Sequence, residues 1–196
     1  LADGPARLLC TRRRRLNHRG AAVHVGDRVQ VEAIDRDHAR AVVAEVEPRI
    51  SFLVRPPVAN ASCILVAVAV DQPVFDADQV SRFLITAEKT GLQVLLVLTK
   101  CDLLNDDALS QLRQRVHGWG YEPILVSTHS GLGLEQLRAQ LANIPISVLC
   151  GPSGVGKSAL LNGLLPGLAL RVGALSGRLQ RGRHTTRHVE LHEFAK

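Results

Sequence analysis

The chain contains no methionine, not even an initiator, in 196 residues. That is unusual at this length and is expected of a chain that forms part of a longer one. Cysteine is sparse: Cys10, Cys63, Cys101 and Cys150 lie far apart and form no Cys-x-x-Cys pair. Their spacing suggests no zinc site and fits buried thiols in a reducing compartment. No apolar run reaches the ~18 residues that a membrane span needs, and no cleavable signal pattern opens the chain. A soluble, cytoplasmic protein with no membrane partner is expected. What is plentiful is apolar residue, at 46%, enough to bury a core in one ordinary α/β domain with something small beside it.

The formal net charge is +6, and its distribution says more than its sum. Residues 1–56 hold eleven Arg against seven Asp and Glu, residues 57–170 seven basic against nine acidic, and residues 171–196 six basic against two acidic. A mildly acidic centre thus lies between two basic ends. The densest run is Arg12-Arg13-Arg14-Arg15, with Arg7, His18 and Arg19 nearby. Such clusters neutralise phosphates and release counterions, which suits a nucleic-acid partner. A solvated arginine-rich loop is the other reading.

Residues 5–56 alternate short apolar stretches, at 22–24, 29–34 and 41–46, with the turn signals Gly26-Asp27 and 35–37. Several short strands in so short a segment predict a small β-barrel, most simply OB-like. Phe52 is the one aromatic in this segment, so any RNA contact should depend on arginines and backbone shape rather than stacked bases. Arg55-Pro56-Pro57 marks a boundary, since two prolines do not fit a central strand or a helix interior. The domains expected are 1–56 and 57–196.

Beyond the boundary the rhythm changes. Residues 63–70 form a continuous apolar, β-branched-rich run, as in a parallel strand buried on both faces. Residues 78–90 have helical spacing and end at Gly91. Further strands are predicted at 94–98, 123–126 and 146–150, with helices at 108–118, 134–141 and 158–165, the last stopped by Pro166. This alternation predicts a mainly parallel α/β sheet covered on both faces.

The chemistry concentrates in Gly151-Pro152-Ser153-Gly154-Val155-Gly156-Lys157-Ser158, a full match to G-x-x-x-x-G-K-[ST] between a strand and a helix. The glycines let backbone N–H groups wrap phosphates, and the helix N-terminus adds its dipole. Lys157 should reach the β- and γ-phosphates, the Ser158 hydroxyl should ligate Mg²⁺, and Ala159 completes the phosphate-binding set. Base choice falls to Thr99-Lys100-Cys101-Asp102 after the second strand. It resembles the guanine-reading Asn-Lys-x-Asp of GTPases, with Thr99 in place of Asn. Asp102 would accept from guanine N1–H and the exocyclic amine, Lys100 would lay its stem along the base and the phosphate loop, and the Thr99 hydroxyl can still bond to that loop. As an alternative, Asp102 only caps a helix, and the chain is then a P-loop ATPase or kinase. Ser127-Thr128-His129-Ser130-Gly131-Leu132-Gly133-Leu134 resembles the Ser-Ala element that supports the base, with Thr128 in place of Ala.

The order of these motifs is the distinguishing feature. The base-reading elements precede the phosphate loop, the reverse of most GTPases, and a small β segment stands in front. The chain therefore resembles the circularly permuted GTPases of the RsgA family, also called YjeQ. Val25-Gly26-Asp27, residues 55–60 and the stretch Gly182-Arg183-His184-Thr185-Thr186-Arg187-His188-Val189-Glu190-Leu191 carry the likeness further.

That resemblance implies a GTP-binding, GTP-hydrolysing factor in late maturation of the small (30S) ribosomal subunit, monomeric, using GTP/GDP and Mg²⁺ and binding rRNA. It makes the stretch from Gly182 the first switch element, with Thr186 completing the Mg²⁺ shell. His184 is either the group that orients attacking water or a surface histidine in a basic loop, while His129, His188 and His192 are taken as surface residues. Catalytic roles then fall to Lys157, His184 and Thr186, and rRNA phosphate contacts to Arg12, Arg13, Arg14, Arg15, Arg183 and Arg187. The family's Asp-x-Pro-Gly strand end and zinc-binding helical domain would follow Lys196, and no zinc site is expected within these residues. Thr99 and the missing aspartate motif keep a nucleotide-gated RNA-binding factor with weak or lost hydrolysis as the alternative.

Overall fold

In a computed structural model of the chain, residues 7–12, 22–165, 167–168, 170 and 189–193 are described. They fall into two compact units, one within Leu1–Asn60 and Thr186–Leu191, the other within Ala61–Thr185 and His192–Lys196. Among the described residues no helix is long and apolar enough to cross a membrane.

In the first unit β1 (Leu9–Arg12), β2 (Val29–Asp35) and β3 (Arg40–Val46) form a sheet in the order β1-β3-β2. β2 runs antiparallel to β3 and β1 parallel to it. β4 (Phe52–Val54) and β5 (Pro57–Ala59) make a separate antiparallel pair. Arg55-Pro56 is therefore a hairpin turn, and Pro57 opens a strand, a position where its missing N–H is tolerated. The stretch 22–24 forms no strand; next to it Val25 makes a single bridge to Val58. At Gly26, φ is 87° and an added Cβ would lie 2.1 Å from the Ala59 carbonyl oxygen, so only glycine permits this approach. Asp27 beside it is almost fully buried and accepts from Arg49 Nε (2.7 Å) and Nη2 (2.9 Å) and from His24 N (2.8 Å). Among the described residues no ladder joins the two sheets into a closed barrel.

The second unit holds one parallel sheet: β6 (Cys63–Ala69), β7 (Gln93–Thr99), β8 (Ile124–Leu125) and β9 (Ser147–Cys150), in the order β8-β7-β6-β9. All seven residues of β6 are buried, which is why its sequence shows no alternation. Around the sheet lie α1 (Ala77–Glu88), α2 (Asp106–His117), α3 (Leu134–Leu141) and α4 (Lys157–Leu164). Asp76 caps α1 by accepting from Gln79 N (3.0 Å), and Asn105 caps α2 by accepting from Ala108 N (2.9 Å). Leu137 of α3 and Leu160 of α4 join Ala67, Val97, Val126 and Val155 in the core. The chain steps outward from β6 to β8 and then crosses back to set β9 on the other side of β6. The strand order reverses there, and in open α/β sheets ligands bind outside the carboxyl ends of the strands at such a point.

Candidate nucleotide site

The phosphate loop leaves β9 at this switch point and enters α4. Gly151 has φ 143°, and an added Cβ would meet the Ala67 carbonyl oxygen at 2.0 Å, so the loop backbone rests on the end of β6. Gly156 caps α4 in the left-handed region with no side-chain bond, which leaves the first-turn N–H groups of α4 to an anion. Lys157 is half-buried and donates to the carbonyls of Gly151 (3.0 Å) and Pro152 (2.7 Å). Burial lowers its pKa below the ordinary lysine value. The neighbouring Cys150 thiol is pushed up to about 11 by the same cause and stays neutral.

The strand end at Thr99 meets this loop directly. Thr99, 3% exposed, places Oγ1 2.6 Å from the Val155 carbonyl oxygen and 3.2 Å from that of Val68. A hydroxyl has one proton, and the shorter distance assigns it to Val155, tying β7 to the phosphate loop. Lys100 adopts φ 59°, and its Cε lies 3.9 Å from where a Gly156 Cβ would sit, so its stem runs beside the loop. Asp102 Oδ1 accepts from Ser127 Oγ. That bond, ahead of a backbone contact and the charges of His129 and Lys100, lowers the Asp102 pKa and keeps it a carboxylate acceptor. Ser127 is fully buried, and its Oγ also accepts from His129 N (3.2 Å) and Ser130 N (3.1 Å). The hydroxyl is thus engaged in aiming Asp102 and shaping the loop. Gly133, with φ 69°, holds that loop against β8, since an added Cβ would lie 1.9 Å from the Leu125 carbonyl oxygen.

A family model described as RsgA GTPase matches residues 46–196. The chain belongs to the RsgA GTPase family. It is 72% identical over 190 residues to a small ribosomal subunit biogenesis GTPase RsgA of Synechococcus sp. (strain CC9311), covering 97% of this chain and 62% of that protein. It is 64% identical over 189 residues to the protein of the same name from Prochlorococcus marinus (strain MIT 9313), covering 96% and 59%. Two solved structures are similar. YjeQ from Thermotoga maritima has a TM-score of 0.73 at 34% identity, over 84% of this chain and 59% of that one. YloQ, described as a circularly permuted GTPase, has a TM-score of 0.64 at 28% identity, over 81% and 56%. The chain spans about three fifths of the length of the curated relatives it matches. The expected resemblance to RsgA proteins is thereby established, and with it a permuted GTPase fold with a parallel sheet.

Within this RsgA-family chain, Thr99, Lys100, Asp102 and Ser127 come together with the loop 151–158 at the carboxyl end of the sheet, and Thr128 follows Ser127 beyond β8. Arg12 is exposed at the end of β1. Arg13, Arg14, Arg15, Arg183, His184, Thr186 and Arg187 lie outside the described residues. Sequence reasoning allowed Thr99 a bond to the phosphate loop without naming the Val155 carbonyl as its acceptor, and it missed Gln72, whose carbonyl accepts from Lys100 Nζ. No local signal marks either, because both are backbone acceptors in other segments. A cleft of about 460 Å³ beside the first half of β7, bordered by Glu88, Gly91, Tyr121 and Glu122, lies away from these groups.

Proposed function

We propose that this chain is the nucleotide-handling part of a GTP-hydrolysing factor in late maturation of the small ribosomal subunit. The observation that carries this reading is the bond from Thr99 to Val155, which ties the strand end that leads to Asp102 to the loop 151–158. Asp102, ionised at neutral pH, presents two acceptor oxygens to guanine N1–H and its exocyclic amine, whereas adenine offers an acceptor at N1. The amides of 151–159 and the Lys157 ammonium hold the phosphates and offset charge as it builds on them. Lys157 exchanges its bonds to Gly151 and Pro152 for phosphate oxygens.

The relatives named as GTPases support guanine nucleotide as the ligand and Mg²⁺ as the ion. Ser158 fits that ion: it follows Lys157 in the first turn of α4, with a hydroxyl that has no partner among the described residues. Mg²⁺ characteristically takes few protein ligands beside nucleotide oxygens. When bound, Mg²⁺ neutralises the β- and γ-phosphate oxygens. Thr186 is the proposed second hydroxyl and His184 the proposed water-orienting group.

The first unit is proposed as part of an OB-like barrel, the domains as 1–56 and 57–196, and the protein as a cytoplasmic monomer. Arg12 to Arg15, Arg183 and Arg187 are the proposed rRNA phosphate contacts, supported by the basic charge of both ends. The deciding experiment is competition of GDP, ATP and XDP for wild type and Asp102→Ala, followed by GTP hydrolysis with and without small subunits. GDP preference that is lost in Asp102→Ala, with turnover raised by subunits, supports the reading. Equal competition by ATP would leave Asp102 only a loop-shaping partner of Ser127 and overturn it.

A further inference from the structure

The segment between β6 and α1 is held to the base-reading loop at two points. Val70 N donates to the Thr99 carbonyl (3.0 Å), and the Gln72 carbonyl accepts from Lys100 Nζ. Gln72 takes φ 51°, a left-handed conformation that a non-glycine residue adopts only when its surroundings impose it. Those surroundings are specific. Asp71 Oδ1 accepts from Gln72 N (2.8 Å). Three residues on, Phe75 stacks on Trp119, the single tryptophan, with ring centroids 6.3 Å apart and planes inclined by 24°. The Arg115 guanidinium lies 5.9 Å from the centre of the same indole. Asp76 then closes the segment as the cap of α1. The Gln72 side chain itself is exposed, so what this position supplies is a backbone carbonyl aimed by its dihedral angles.

We propose that the Gln72 carbonyl is a positioning group for Lys100, and that the segment from Asp71 to Phe75, anchored on Trp119, sets part of the affinity for the nucleotide base. This rests on the guanine site proposed above and names the element that orients its lysine. A flexible lysine loses rotamer entropy when it lies along a base, and an anchor that fixes the ammonium beforehand reduces that loss on binding. Gln72 itself makes no hydrogen bond to the loop 151–158 among the described residues, so the effect should be confined to ligands that carry a base.

The test is a double-mutant cycle on Gln72 and Lys100, read by equilibrium titration with GDP and, separately, with pyrophosphate. Gln72→Ile cannot hold the left-handed conformation without strain, whereas Gln72→Gly adopts it freely. Lys100→Met keeps the stem and removes the ammonium. Gln72→Ile should weaken GDP binding roughly threefold to tenfold, the range of one modest hydrogen bond. Gln72→Gly should stay within about twofold of wild type, pyrophosphate binding should not change, and in Lys100→Met the effect of Gln72→Ile should disappear. Phe75→Ala, which removes the anchor without touching Gln72, should shift GDP in the same direction. Wild-type GDP affinity in Gln72→Ile, an equal loss for pyrophosphate, or an undiminished loss in Lys100→Met each overturns the proposal while leaving the guanine site standing. If wild type binds no GDP, both readings fall.

Discussion

Thr99→Val isolates the contact that joins the end of β7 to the proposed phosphate loop. Valine keeps the β-branch and one methyl in a site that is 3% exposed, and it removes only the hydroxyl that lies 2.6 Å from the Val155 carbonyl. Val155 is itself 1% exposed, so its carbonyl loses a donor without gaining water. Leaving a buried acceptor unpaired costs about 1–3 kcal/mol. Because that acceptor belongs to the phosphate loop, the cost should appear in nucleotide binding as well as in folding. GDP affinity should fall roughly fivefold or more, and Tm should drop about 2–4 °C for each kcal/mol lost. Calorimetric titration with GDP and urea unfolding measure the two effects on the same preparations. Thr99→Ser, which retains the hydroxyl and loses the methyl, serves as the control and should bind GDP close to wild type. If Thr99→Val binds GDP within twofold of wild type while Thr99→Ser does not, the methyl rather than the hydrogen bond matters, and the coupling argument is refuted.

Gly133→Ala should be among the most damaging single changes, since its Cβ would lie 1.9 Å from the Leu125 carbonyl oxygen at a φ of 69°. Thermal unfolding should show a loss above about 3 kcal/mol, and a near-neutral result would mean that the loop after β8 is not held as described. Arg49→Ala leaves Asp27 buried with only the His24 amide, and urea unfolding at pH 7 should show a loss of about 2–3 kcal/mol, below the fully buried case because Arg49 is 28% exposed. The guanidinium bond holds the Asp27 carboxyl below its ordinary value. Its contribution is therefore complete above about pH 4 and fades as pH falls through the lower folded-state value, so the gap between wild type and Arg49→Ala should narrow in acid; a gap that stays constant rejects that origin. Burial lowers the Lys157 pKa while bound phosphate favours its ammonium, so GDP binding at alkaline pH should take up protons and weaken as pH rises toward 10.5. Titrations at pH 9 in two buffers of different ionisation enthalpy test this, and identical heats would show that Lys157 is fully charged beforehand.

Much of the second unit was legible because its signals are local. A strand, a glycine-rich turn and a helix with Lys157 and Ser158 at its start satisfy their own conformational needs within the segment they occupy. The unbroken apolar run at 63–70 likewise announced a strand buried on both faces, and β6 is that strand. The first unit was less legible. β1 is four exposed residues with no apolar alternation to reveal it, and its place is decided by pairing with β3, thirty residues on. The prolines after Arg55 pointed away from a strand, yet Pro57 opens one, because the rule that excludes proline from sheet interiors does not bind at a strand's first residue.

By itself the sequence determined which segments are strands and helices around the sheet, that a phosphate loop sits between one strand and one helix, and that its motifs run in permuted order. Each of these depends on side-chain periodicity or turn chemistry within about twenty residues, which chain neighbours alone decide. Only the tertiary structure decided that Thr99 reaches Val155 across 56 residues of sequence, that Ser127 orients Asp102 across 25, and that Lys100 is held by Gln72 across 28. Those partners are chosen by the strand order β8-β7-β6-β9. A hydroxyl or an ammonium bonds to whichever acceptor the sheet brings within 3 Å or so, and hydrophobic burial in the core selects that arrangement.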